Sequence, residues 1–112
     1  MYLFTFESKV KPKTKAAEEF SDFGGAYINC YIHFKDFEIA EKIAKLLIRG
    51  RGWIPGERIE AWELQKSKLK TKTDKQLYAE ALKYEYTLAF YLWETGEDDN
   101  VAIRDAKRRG GR

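Results

Sequence analysis

His33, the only histidine of this 112-residue chain, belongs to a segment whose polar side chains could do acid–base chemistry. Residues 26–34 alternate between apolar and other types, which predicts a β-strand with two different faces. One face would carry Tyr27, Asn29, Tyr31 and His33. A histidine beside tyrosine hydroxyls could act as a general base or bind a ligand through hydrogen bonds. The same alternation is typical of the polar face of a half-buried strand, so the pattern leaves both interpretations open.

Cys30, the only cysteine, is a second side chain with nucleophilic potential. A thiol acts as a nucleophile only where a base lies near it and solvent reaches it. The phase of the strand puts Cys30 beside Ile28 and Ile32, which predicts a buried structural thiol. One cysteine and one histidine on opposite faces of a strand cannot converge on one ion, so we predict no metal site. We predict no cofactor and no enzymatic activity either, because no catalytic signature stands out.

Two seven-residue stretches, residues 9–15 and 66–72, are near copies of one another with lysine at every second position. They hold eight of the 21 basic residues and no acid, in a chain of net charge +3. With Arg108 and Arg109 near the end of the chain, they could neutralise a phosphate backbone while exposed rings stack on bases. The lysines of the two runs are Lys9, Lys11, Lys13, Lys15, Lys66, Lys68, Lys70 and Lys72.

A second interpretation treats the lysine runs as solvated strand ends. Lysines at such positions discourage edge-to-edge aggregation of sheets. Lysine predominates over arginine here, which weakens the case for bidentate phosphate recognition. Nucleic-acid binding is therefore our alternative hypothesis, and it depends on whether the two runs meet in space.

Hydrophobic periodicity predicts the elements that must position these residues. Period-2 alternation indicates strands over residues 1–7, 26–34 and 57–65. Residues 9–25 should form a long connection with one helical turn, and Pro55 with Gly56 marks a turn.

Two helices are expected. Asp36 can cap the first, whose apolar stripe includes Ala40 and Ala44 and which should end at Gly50 or Gly52. The second matches a capping box that starts at Thr73, and it should turn Leu77, Ala81 and Tyr84 inward.

Residues 86–94 could extend the second helix or form a separate strand. A helix would be apolar around its whole circumference and would need complete burial, which a chain of this size can hardly provide. The segment is rich in aromatic and branched residues, which a strand covered on both faces tolerates. We therefore predict a strand.

The order of these elements predicts a single α+β domain over residues 1–95, followed by a flexible charged tail over residues 96–112. The most economical packing is a four-stranded sheet with two helices on one face, of ferredoxin-like character. The other face of the sheet would then be open.

The aromatic content of 15% is high, so several rings should lie exposed on that open face. We predict a binding module that forms a homodimer or takes a protein partner there. One cysteine and the lack of a leader-like segment suggest the cytoplasm. No apolar run is long enough for a membrane span, so no membrane partner is expected. The predicted partner face comprises Tyr27, Asn29, Tyr31, His33 and Trp62.

The sequence Ala-Tyr-Ile-Asn-Cys-Tyr-Ile at residues 26–32 is followed by the amphipathic helix, by Gly52 and Trp53, and by the aromatic strand that ends in Trp93 and Glu94. This arrangement, over residues 25–94, resembles small uncharacterised bacterial or phage proteins of the kind carried on mobile gene cassettes. The resemblance implies a compact α+β domain and assigns no catalytic residues.

Overall fold

The computed structural model describes residues 1–94 and 104–105. Four long strands form an antiparallel sheet in the order β3-β1-β2-β4, and a two-residue strand, β5, pairs with β4. The strands are β1 (Tyr2–Val10), β2 (Phe23–Ile32), β3 (Trp53–Glu63), β4 (Tyr86–Glu94) and β5 (Arg104–Asp105). The helices are α1 (Lys15–Glu19), α2 (Phe37–Gly50) and α3 (Lys72–Tyr84).

The α+β class is confirmed, whereas the ferredoxin-like arrangement is not found. A helix separates every pair of consecutive long strands, instead of the β-α-β-β-α-β order of a ferredoxin-like fold. The remainder of the predicted tail, residues 95–103 and 106–112, lies outside the described residues.

One face of the sheet is covered by α2, and the main core lies there. The Asp36 carboxylate caps this helix by accepting the Ile39 N–H at 2.9 Å, as the sequence predicts. Its small buried residues Ala40 and Ala44 let the helix approach the strands closely. The strand side chains on this face belong to one cluster that includes Phe4, Phe6, Ile28, Cys30, Ile32, Trp53, Leu88, Phe90 and Leu92.

The opposite face is covered by α3. The prediction that the two longer helices share one face is therefore wrong, since α2 and α3 lie on opposite faces. Leu77 and Ala81 of α3 pack with Tyr31 and Ala89 in a second, smaller core. Tyr31 points away from the main core because it alternates with Cys30 along β2. A physical reason for the difference is that α2 shares the other face with α1 and Phe20, whose side chains belong to the same main core, so this face is the one left for α3.

The edge position of β3 explains why the sequence pattern misplaced the start of this strand. Pro55 and Gly56 lie within β3 rather than in a turn, since a residue without an N–H is tolerated on an edge strand. A Cβ atom at Gly56 would lie 2.5 Å from the Glu7 carbonyl oxygen, so the glycine allows close approach of β1. The β2 strand ends at Ile32 rather than at residue 34 as the alternation predicted, and Phe34 is 39% exposed.

The strand predicted for residues 86–94 is confirmed as β4. The α3 helix begins two residues earlier than predicted because Thr71, rather than Thr73, is the cap: its hydroxyl accepts the Asp74 N–H at 2.9 Å. Leu77 and Ala81 are buried as expected, whereas Tyr84 is exposed.

Two glycines provide a test of this packing. A Cβ atom at Gly25 would lie 2.6 Å from the Trp93 ring and 2.7 Å from the Ser8 carbonyl oxygen. We expect Gly25→Ala to lower the free energy of unfolding by about 1–3 kcal/mol, because backbone or a buried ring would have to move. Urea denaturation followed by tryptophan fluorescence measures the change.

Gly50→Ala is the matched control. It adds the same methyl group at the end of α2, where nothing lies within 4 Å of the new atom. We expect it to be neutral or stabilising by up to about 1 kcal/mol. Equal destabilisation by both substitutions would contradict the close approach of β1 and Trp93 around Gly25.

Candidate functional site

The acid–base pair that the sequence suggested is not assembled. Tyr31 is buried beneath α3, and its pKa is raised by burial and, secondarily, by the nearby Asp74 carboxylate. His33 lies beyond the end of β2, where it is exposed and lines a shallow cavity with Met1 and Phe34. Within residues 1–94 its ring makes no side-chain hydrogen bond, although its backbone N–H donates to the Glu85 carbonyl at 2.9 Å. Nothing in this arrangement couples the two side chains.

Cys30 is fully buried in the main core, as predicted. Burial raises the pKa of its thiol well above the usual range, because a thiolate would lose its hydration. The side chain therefore has a structural role.

Two of the predicted partner-face residues, Tyr27 and Asn29, do lie together in a cleft on the α3 side of the sheet. We call it the tyrosine cleft. Its volume is about 360 Å³. The Thr5 hydroxyl donates a 2.7 Å hydrogen bond to the Asn29 side-chain oxygen, which joins β1 to β2 at the floor of the cleft. The lining residues are Thr5, Tyr27, Asn29, Ile59, Glu60 and Tyr91.

A β-bulge explains why Ile59 faces this cleft. Thr5 pairs with Glu60 and Phe6 pairs with Arg58, so Ile59 is the extra residue on β3. Ile59 and the adjacent Glu60 both line the cleft, and Ile59 is 46% exposed. The sequence pattern did not reveal this, since a bulge inverts the alternation that would have shown the phase.

Trp62 lies two residues along β3 from Glu60, on the same face of the sheet as the tyrosine cleft, although it does not line the cleft itself. It pairs with Leu3 on the same face of the sheet and is 56% exposed, a large fraction for an indole. At the far end of the open surface, the Tyr27 and Trp93 rings meet at 5.0 Å between centroids. The Lys9 ammonium lies 5.4 Å from the Trp93 ring. The exposed Trp62 and Lys9 therefore lie near opposite ends of this face, with the tyrosine cleft between them.

The two lysine runs lie at opposite ends of the sheet. Lys9 pairs with Ile54 near the end of β1 and the start of β3. The second run follows Leu64, whose N–H donates to the Met1 carbonyl at the other end of β1. Nine residues of β1 separate these ends by about 30 Å. A ligand that contacts both runs would have to span the length of the sheet. Arg108 and Arg109, predicted to support the runs, lie outside the described residues.

The first lysine run instead meets the end of α2. The Lys11 N–H donates to the Gly52 carbonyl at 2.8 Å, which fixes the two segments side by side. A cavity of about 380 Å³ lies between them, and we call it the basic cleft. It is lined by Lys11, Thr14, Lys15, Ala16, Arg49, Gly50, Arg51 and Gly52.

Other classes of site find little support in the described part of the chain. Within residues 1–94 and 104–105, no group of three or more histidine, cysteine or acidic side chains is placed to hold a metal ion. None of the described helices has the length and apolar character needed to cross a membrane. Comparisons with protein-family models, with curated proteins and with solved structures gave no match to this chain, so its function has to be inferred from its geometry.

The burial of Cys30 leads to a reactivity prediction. We expect the native protein to resist alkylation by iodoacetamide, because the thiol is both inaccessible and held protonated. Mass spectrometry should show one modification only after denaturation. A Ser67→Cys variant, which places a thiol at an exposed position, should be modified once in the native state. Rapid modification of Cys30 in the native wild-type protein would contradict its placement.

The raised pKa values of Cys30 and Tyr31 also predict alkaline sensitivity. Each group prefers its protonated form in the folded state. Its contribution to the free energy of unfolding is therefore fully present below the pKa that it has in the unfolded chain, about 8.5 for the thiol and 10 for the phenol. The free energy of unfolding should therefore fall as the pH rises above about 8.5. Urea denaturation of wild type and of Cys30→Ala at several pH values between neutral and alkaline measures this decrease. The free energy of unfolding of the variant should fall less than that of wild type over the same pH range. An identical decline in both would contradict a contribution from the thiol.

Proposed function

We propose that this chain is a non-catalytic binding module that forms a homodimer through the tyrosine cleft and Trp62. The observation that carries the proposal is an exposed indole beside a cleft containing two tyrosines, all on one face of the sheet. Tryptophan and tyrosine are the side chains that most often dominate binding energy at protein interfaces.

A second copy is the favoured partner because the exposed Trp62 side chain and the tyrosine cleft lie on the same face of the sheet. In a two-fold dimer, residue i of one copy contacts residue j of the other, and the reverse contact follows by symmetry. Each Trp62 would enter the tyrosine cleft of its partner and pack against Tyr27 and Tyr91. The indole N–H needs an acceptor, which Glu60 or Asn29 can supply.

Face-to-face packing is favoured over pairing of the β3 edges. The edge carries charged residues, including Glu57 and Glu63, and its register with β1 shifts twice. Charges and bulges are features that discourage edge-to-edge strand pairing.

The size of the open surface favours a weak dimer. Four strands about 20 Å wide and 30 Å long give a sheet face of about 600 Å², and α3 covers part of it. This is less than the about 800 Å² that each partner contributes to a standard interface. We expect a dissociation constant in the micromolar range.

We place the module in the cytoplasm, where its single thiol would stay reduced.

Light scattering across a concentration series tests the proposal. Wild-type protein should approach twice the 13.2 kDa monomer mass at high micromolar concentration. Trp62→Ala should remain a monomer under the same conditions, because it removes the side chain that fills the cleft. Leu46→Ala is the matched control, since Leu46 is 64% exposed on α2 and lies away from the proposed interface.

The control should dimerise like wild type. A wild-type mass that stays near 13.2 kDa at every concentration would overturn the homodimer. Equal loss of dimer in both variants would instead move the interface away from the tyrosine cleft.

A further inference from the structure

The basic cleft gathers cations from two segments that are distant in sequence. Lys11 and Lys15 come from the first lysine run, whereas Arg49 and Arg51 come from the end of α2. No acidic residue is among its described lining residues. Lys11, Lys15 and Arg49 form no ion pair with the described residues, in contrast to Arg58, which pairs with Glu41 at 3.1 Å.

The dipole of α2 accounts for only part of this cluster. A cation in the last turn of a helix compensates the partial negative charge at its C-terminus, and Arg49 occupies that position. The lysines belong to a different segment and bring further positive charge to the same place. Cations that line one cleft repel one another, and an anion bound between them would relieve this repulsion.

The backbone keeps the two segments together. Gly52 has a φ of 84°, and a Cβ atom there would lie only 3.0 Å from the Ala16 Cβ and 3.3 Å from the Thr14 hydroxyl. Together with the hydrogen bond from Lys11 to Gly52, this packing prevents the segments from drifting apart.

A strained turn directs the lysines to one place. Lys13 has a φ of 67°, which is unfavourable for a residue with a side chain and persists where surrounding structure requires it. The Thr14 hydroxyl closes the turn by donating to the Lys11 carbonyl at 2.7 Å. The chain reverses over this turn, and so Lys11 and Lys15 line the same cleft.

We propose that the basic cleft binds a small phosphoanion with two or more phosphate groups, of which pyrophosphate is the simplest. Several cations that line one cleft match a multiply charged ligand better than a single carboxylate or sulfate. Its lining contains no aromatic ring among the described residues, so no nucleobase is stacked and recognition is confined to the phosphates. The site is separate from the tyrosine cleft, and it shares no lining residue with it.

Calorimetric titration of wild-type protein with pyrophosphate at low salt tests this proposal. We expect saturable binding with one site per chain. The double substitution of Lys11→Gln with Arg49→Gln should weaken it at least tenfold. The matched control, Lys68→Gln with Lys70→Gln, removes the same net charge at the other end of the sheet and should change the affinity less than twofold.

Backbone amide shifts in the wild-type protein locate the ligand independently of any variant. They should change mainly at residues 11–16 and 49–52 on addition of pyrophosphate. No saturable binding, equal weakening by both variants, or shifts centred elsewhere would each overturn the site. An RNA oligonucleotide could also overturn the site. If it binds more tightly than pyrophosphate and both double substitutions weaken its binding equally, the two lysine runs form a general electrostatic surface instead.

Discussion

The route of the chain from β3 to β4 is the constraint on which the rest of the structure depends. These strands lie on opposite sides of the β1–β2 pair, and α2 already covers one face of the sheet. The connection therefore crosses the other face, where α3 packs. The 13-residue helix extends about 20 Å and buries Tyr31 and Ala89, whereas the strands beneath it are about 30 Å long. One end of this face is buried and the other is left open as the tyrosine cleft.

The same crossing gives chemically similar residues different roles. Tyr31 and Tyr27 lie on one face of β2, four residues apart, yet Tyr31 is buried under α3 while Tyr27 lines the cleft. Ala81 and Ala89 permit the close contact at the covered end, since neither has a side chain that would hold the helix away from the sheet. The part of this face that α3 leaves uncovered thus determines which residues can contact a partner.

Signals within one element were predictable from the sequence, whereas relations between elements were not. The Asp36 cap and the strand at residues 86–94 follow from local side-chain chemistry and periodicity. The face crossed by α3 depends on strand order, which no local pattern encodes. Alternation identified Tyr27 and could not identify Tyr91, because that residue reaches the cleft only through the register of β4 on β2.

In the homodimer that we propose, the face left open by α3 is covered by the same face of a second copy. Intermolecular nuclear Overhauser effects, recorded on a mixture of isotope-labelled and unlabelled chains, test it most directly. We predict contacts from the Trp62 indole of one copy to the Tyr27 and Tyr91 rings of the other. A dimer whose intermolecular contacts arise from α2, with none from Trp62, would contradict the proposed interface.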